Sequence, residues 1–176
     1  MTGDILRGRP VGVHASCRLA ADAATVWALV GNFLAPQAWL PGIRDTRKQD
    51  DVGGGVVRIC ETGFGRFREQ LTASGPLWCT YTVLEGPLSV RNYEAALLLM
   101  DSADDTCRIV WKSAFDPAPG VSMHIARTQL ARVYLAGLRA LQGRFGSDDA
   151  APLFEAGGLG EVAIEGFIDW SRDNDN

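Results

Sequence analysis

Apolar and polar residues alternate near the start of the chain, with Val11, Val13, Ala15, Cys17 and Leu19 on one side. A period of two predicts a half-buried strand over Val11–Leu19. The spacing then changes. Val26, Leu29 and Val30 share a helical face with Trp27 beside them, Asp22 stands at the N-cap position and Gly31 closes the segment. These signals predict a short helix over Ala23–Val30. Phe33–Trp39 reads as a second short helix or turn, broken near Pro36 and stopped at Pro41-Gly42. Strand-like runs follow at Ile43–Asp50, Val56–Glu61, Phe67–Ser74, Trp78–Leu84, Arg91–Met100 and Thr106–Phe115. Short Gly-, Pro- and Asp-rich turns separate them, so neighbours in sequence are expected to pair antiparallel.

One long helix is predicted next, capped by Ser122 and running to about Leu141 or Gln142. Its apolar positions are Met123, Ala126, Leu130, Val133/Tyr134, Leu138 and Leu141, close to a period of 3.6. The expected fold class is α+β: a curved antiparallel sheet around a long helix, with two short helices after the first strand. No βαβ alternation occurs, which excludes a dinucleotide-binding fold. Residues 1–10 read as an N-terminal arm and 11–143 as the folded domain. Residues 144–176 form an acidic extension, with eight acids from Gly146 onward. That extension also holds Val162, Phe167 and Trp170, which predict a short packing helix.

Composition narrows the function. Hydrophobic residues are 47% and charged residues 22%, with a net charge of −4. No basic run is long enough to neutralise a track of phosphates, so nucleic acid is not an expected partner. No apolar run approaches the ~20 residues needed to cross a bilayer, so membrane insertion is not expected either. The four cysteines lie in apolar runs without disulfide-type spacing, and a reducing cytoplasmic location is the expectation. The histidines and acids lack metal-ligand spacing, and no nucleophile elbow is present, so neither metal, cofactor nor acyl-enzyme chemistry is expected.

Several stretches carry a resemblance. Ala23-Ala-Thr-Val-Trp-Ala-Leu-Val-Gly-Asn-Phe33, then Trp39-Leu-Pro-Gly-Ile43, open it. Gly65-Arg-Phe-Arg-Glu-Gln-Leu71, Tyr81 through Tyr93, and Thr106-Cys-Arg-Ile-Val-Trp-Lys112 continue it. Over about residues 11–143 the chain resembles the START-like helix-grip superfamily, in its polyketide cyclase/dehydrase-like branch. It is also similar in pattern to plant abscisic-acid receptors and pollen-allergen-type proteins. The resemblance implies a seven-stranded sheet gripping the long helix over an apolar cavity. It places mouth loops at Thr62–Gly65, where Phe64 would be a lid, and at Gly86–Arg91, which includes Leu88. The receptors' own gate and latch sequences are missing, which argues against hormone reception.

The same resemblance places Glu69 in the pocket wall, on a face shared with Phe67. It turns Cys79, Tyr81, Val83, Tyr93 and Trp111 inward, and adds His124, Arg127 and Ala131 from the long helix. Trp111 replaces an acid of the receptors, which implies a smaller and drier pocket. On the third strand two choices stand: apolarity favours Val57 and Ile59 inward, the resemblance favours Arg58 and Cys60.

A carboxyl facing an apolar cavity has a raised pKa unless paired, and would suit general acid–base work. Glu69 with Tyr81 and Tyr93 would then serve cyclisation, dehydration or isomerisation of an aromatic or polyketide-like molecule. The structural alternative is that Glu69 pairs with Arg66, Arg68 or Arg91. Two further readings stand beside the enzyme: a carrier or sensor of a hydrophobic small molecule, and a chaperone-activator-like interaction module. A cavity of more than roughly 300 Å³ with Glu69 in its wall would support the first two, and a solid core would sink them. A homodimer is expected to use the edge strand near Ile43 or the C-terminal segment.

Overall fold

The computed structural model describes residues 12–50 and 53–154. The N-terminal arm and the expected helix around 162–170 lie outside the described residues. The elements run β1 (Val13–Leu19), α1 (Ala23–Val30), β2 (Ile43–Asp50), β3 (Val56–Thr62), β4 (Gly65–Gly75), β5 (Trp78–Glu85), β6 (Val90–Asp101), β7 (Cys107–Pro117), α2 (Met123–Phe145) and β8 (Leu153–Phe154). The second short helix shrinks to one 3-10 turn at Pro36–Ala38. Pro36 starts it and gives up no hydrogen bond there.

The sheet is antiparallel, in the order β2-β3-β4-β5-β6-β7-β1-β8. It curves around α2, which is the helix-grip arrangement. Both helices begin on caps that the sequence displays. Asp22 accepts the Thr25 amide at 2.9 Å, and Ser122 accepts the Ile125 amide at 3.2 Å. Asp101, at the end of β6, takes the Ala23 amide at 2.9 Å and so ties α1 to the sheet. α2 runs through Gly143 to Phe145 and ends at Gly146, whose φ of 80° suits a residue without a side chain.

The eighth strand was not expected. Ser147 Oγ donates to the Arg18 carbonyl at 2.7 Å, and Asp149 accepts the Arg18 amide at 2.7 Å. These bonds fix the chain leaving α2 along β1, so that Leu153 and Phe154 pair with Ser16 and Ala15.

Alternate strand residues face α2. Cys17, Leu19, Leu99, Cys107 and Ile109 meet Leu138 and Leu141 at the end near the β6–β7 turn, all essentially without exposure. Gly137 marks the close approach of α2 to this layer. A Cβ there would lie 2.8 Å from Leu40 Cδ1 and 3.0 Å from the Trp111 ring.

Candidate functional site

The other end of the grip, near the β3–β4 and β5–β6 turns, is not filled. An apolar cavity of about 70 Å³ opens there, room for roughly five water molecules. This is well below the expected 300 Å³. The reason is visible in the wall: large rings occupy the space. Trp111 lies flat on Tyr134, with centroids 4.1 Å apart and planes 10° apart, and its other neighbour is Trp39 at 5.5 Å.

β3 decides its parity here. Arg58, Cys60 and Thr62 face the cavity, while Val57 turns away from it. The apolar choice fails because Arg58 sits directly opposite Glu69 in the β3–β4 register. Arg58 Nε donates to Glu69 Oε2 at 2.7 Å, and both residues are over nine-tenths buried. Arg58 Nη1 donates to the Phe33 carbonyl at 2.6 Å, and the guanidinium lies 4.1 Å above the Phe33 ring. Burial pulls the Arg58 pKa down, but the Glu69 carboxylate, aided by Cys60 and Tyr81, more than offsets this and leaves it raised. Glu69 is thus paired, and the partner is Arg58. Arg66 instead bonds Glu61 at 2.8 Å, and Arg68 bonds Gln49 at 2.8 Å.

Three phenols sit beside this pair. Trp111 Nε1 donates to Tyr81 Oη at 2.9 Å, and the Tyr93 and Tyr134 hydroxyls are 2.7 Å apart. Burial, reinforced by the charges around them, raises the pKa of Tyr81, Tyr93 and Tyr134 well above the usual phenol value. All three therefore keep their protons, so each can donate a hydrogen bond as well as accept one. Burial also pushes the Cys60 thiol up to about 11, with Glu69 next to it adding to the effect, so it is no nucleophile near neutrality.

Of the expected wall residues, Arg58, Cys60, Phe64, Phe67, Glu69, Tyr81, Val83, Leu88, Tyr93 and Trp111 line the cavity together. Phe64 is 39% exposed at the mouth and meets Phe67 edge-on at 5.6 Å. Gly65, at a φ of 141°, leaves just enough room for Pro87; a Cβ there would lie 3.2 Å from its ring. Four expected residues do not line the cavity. Cys79 faces inward but lies two residues deeper on β5, within the closed core. On α2 the phase differs from expectation: Leu130, Val133, Tyr134 and Ala136 face the cavity. His124 is exposed on the first turn, Arg127 is half-buried outside the wall, and Ala131 is buried off the cavity face. Tyr134 was visible only as an apolar position, and Phe33 only as part of a turn. Neither periodicity nor resemblance signals that they meet Tyr93 and Arg58. Among the described residues, no group of three or more His, Cys, Asp or Glu is placed to hold a metal, and no helix is long and apolar enough to cross a membrane.

Comparisons with known proteins agree with this architecture. The model of the family described as polyketide cyclase / dehydrase and lipid transport matches residues 10–146. The structure of protein XoxI from Bacillus cereus is similar, with 28% identity, a TM-score of 0.68, and coverage of 75% of this chain and 94% of that one. A Thermobifida fusca protein solved by NMR is 28% identical, with a TM-score of 0.66 and coverage of 76% and 92%. The ZhuI aromatase/cyclase of Streptomyces sp. R1128 shares the fold at 16% identity, with a TM-score of 0.61 and coverage of 75% and 91%. No curated protein matches.

Proposed function

The chain belongs to the polyketide cyclase/dehydrase and lipid transport family, and on that premise we propose that its cavity takes up a hydrophobic aromatic or polyketide-like molecule and acts on it. The buried Arg58–Glu69 pair carries this reading. Taking two charges out of water costs several kcal/mol and adds little to stability compared with apolar packing. A scaffold needs no such pair in an apolar wall, whereas a site that handles a polar group on an otherwise apolar ligand does. Tyr81 and Tyr93 supply protonated phenols next to it. In the proposed reaction Glu69 moves the proton, and the phenols hold the ligand oxygen during cyclisation, dehydration or isomerisation. The small cavity favours a compact, flat ligand, or one that enters as Phe64 and Leu88 swing aside.

One observation favours a carrier instead. Glu69 Oε2 is occupied by Arg58, so its carboxylate is committed before any ligand arrives. The readings separate experimentally. Native mass spectrometry of the purified protein, with extraction of any co-purifying molecule, identifies the ligand. With that molecule or its precursor, Glu69→Gln is expected to abolish turnover and largely keep affinity. A Gln variant that turns over like wild type removes Glu69 from the chemistry, and a change in affinity alone, with no turnover in either protein, establishes the carrier. A protein that never retains or binds a hydrophobic molecule leaves the interaction-module reading.

A further inference from the structure

A tryptophan indole nitrogen donates a hydrogen bond and never accepts one. The bond from Trp111 Nε1 to Tyr81 Oη at 2.9 Å therefore has a fixed direction. The adjacent Tyr93–Tyr134 bond can run either way. Tyr81 is thus engaged as an acceptor, and its own proton is directed away from Trp111. The phenol beside it, Tyr93, interacts through its hydroxyl with both Tyr134 and Tyr81. With Tyr134 donating to Tyr93 and Tyr93 to Tyr81, the Tyr81 oxygen accepts twice and its proton is left for the cavity. Tyr81 also lines the cavity, so the space in front of it is where a ligand atom arrives. Of the charged groups in that wall, Arg58 is likewise a donor without acceptor capacity, and the acceptor Glu69 is engaged by Arg58.

The indole is held by α2 and the turn before β2. Tyr134 stacks on it, Trp39 packs beside it, and Gly137 leaves the volume that its ring occupies. We infer that Trp111 is a positioning residue that commits Tyr81 to donating into the cavity, so the ligand is a hydrophobic molecule presenting an acceptor oxygen, a ketone or an enolate, to Tyr81. This inference rests on the ligand-binding reading above.

The test uses two probes of nearly the same shape. Acetophenone, carrying ¹³C at its carbonyl, has the acceptor oxygen; α-methylstyrene replaces that oxygen by a methylene group. NMR titration of the full chain measures both affinities, and the carbonyl shift reports the hydrogen bond directly. Wild type is expected to prefer acetophenone by about tenfold, the worth of one net hydrogen bond, with a downfield carbonyl shift. Tyr81→Phe should erase the preference and the shift. Trp111→Phe should lower the preference, read as the ratio of the two affinities, to about a third or less and weaken the shift. A preference that survives in full in Trp111→Phe overturns the positioning role, and one that survives Tyr81→Phe overturns the donor assignment. Wild type that binds neither probe counts instead against the ligand-binding reading itself. If Trp111→Phe does not fold, Gly137→Ala crowds the indole while keeping its N–H. It should lower the preference in the same direction, and an unchanged preference overturns the inference.

Discussion

The two ends of the grip are built from the same strands and the same helix, yet they do opposite things. Near the β6–β7 turn, Leu19, Leu99, Cys107, Ile109, Leu138 and Leu141 close on each other with no polar side chain among them. Near the β3–β4 turn, the wall carries a buried ion pair, three phenols and an indole N–H. The first end is what apolar burial yields when nothing else is asked of it. The second gives up stability to hold polar groups in a dry place. The difference argues that the closed end supplies the folding free energy, and that the open end spends part of it on recognition.

Alkaline pH probes this contrast with the largest effect. Burial raises the thiol of Cys17 to about 12 and those of Cys60, Cys79 and Cys107 to about 11, from the usual 9.0. A raised folded-state value means that the folded chain holds protons which the unfolded chain releases. That stabilisation is complete below about 9 and is lost as pH rises toward 11. Urea midpoints under reducing conditions should therefore be flat up to about pH 8.5 and fall steeply above pH 9. A flat profile to pH 11 would mean that the buried thiols are not held as described.

Next in size, Arg58→Met should cost about 3–5 kcal/mol, because it leaves Glu69 buried without its partner. The double change Arg58→Met with Glu69→Leu should recover most of that loss while abolishing any selective ligand binding. Chemical denaturation of both variants checks this, and a double variant as unstable as the single one would show that the pair is needed for folding. Leu138→Ala at the closed end should cost about 3 kcal/mol through the cavity it leaves, and ligand binding by the folded fraction should stay unchanged. Lost binding in a folded Leu138→Ala protein would break the separation of the two ends.

Most of the fold was legible in the sequence because it is local. Period-two runs and turn residues marked β1 to β7, and Asp22, Gly31 and Ser122 marked helix ends, whereas α2 continues to Phe145, past the expected stop at Leu141 or Gln142. The site was legible where the family resemblance supplied the facing of a strand or the place of a mouth loop, as at Tyr81, Val83, Trp111, Phe64 and Leu88. Arg58 was left undecided because its inward turn is set by Glu69, eleven residues away on another strand. The α2 face was misjudged at His124, Arg127 and Ala131, since a helix buried along much of its length presents several apolar directions and the grip selects one. β8 has two residues, too few for any period to show.

The strand β8 has a consequence for how the protein behaves among copies of itself. It pairs with Ala15 and Ser16 of β1, and among the described residues β2 forms the other edge of the sheet. An uncovered strand is a template for fibril-like growth. β2 reads Ile-Arg-Asp-Thr-Arg-Lys-Gln-Asp, with Arg44, Asp45, Arg47, Lys48 and Asp50 exposed. A neighbouring strand that zipped onto it would have to strip water from those charges, so the sheet is guarded at one border by a short strap and at the other by hydration. The protein is thereby expected to resist aggregation at concentrations where a sheet of this length with bare apolar edges would precipitate.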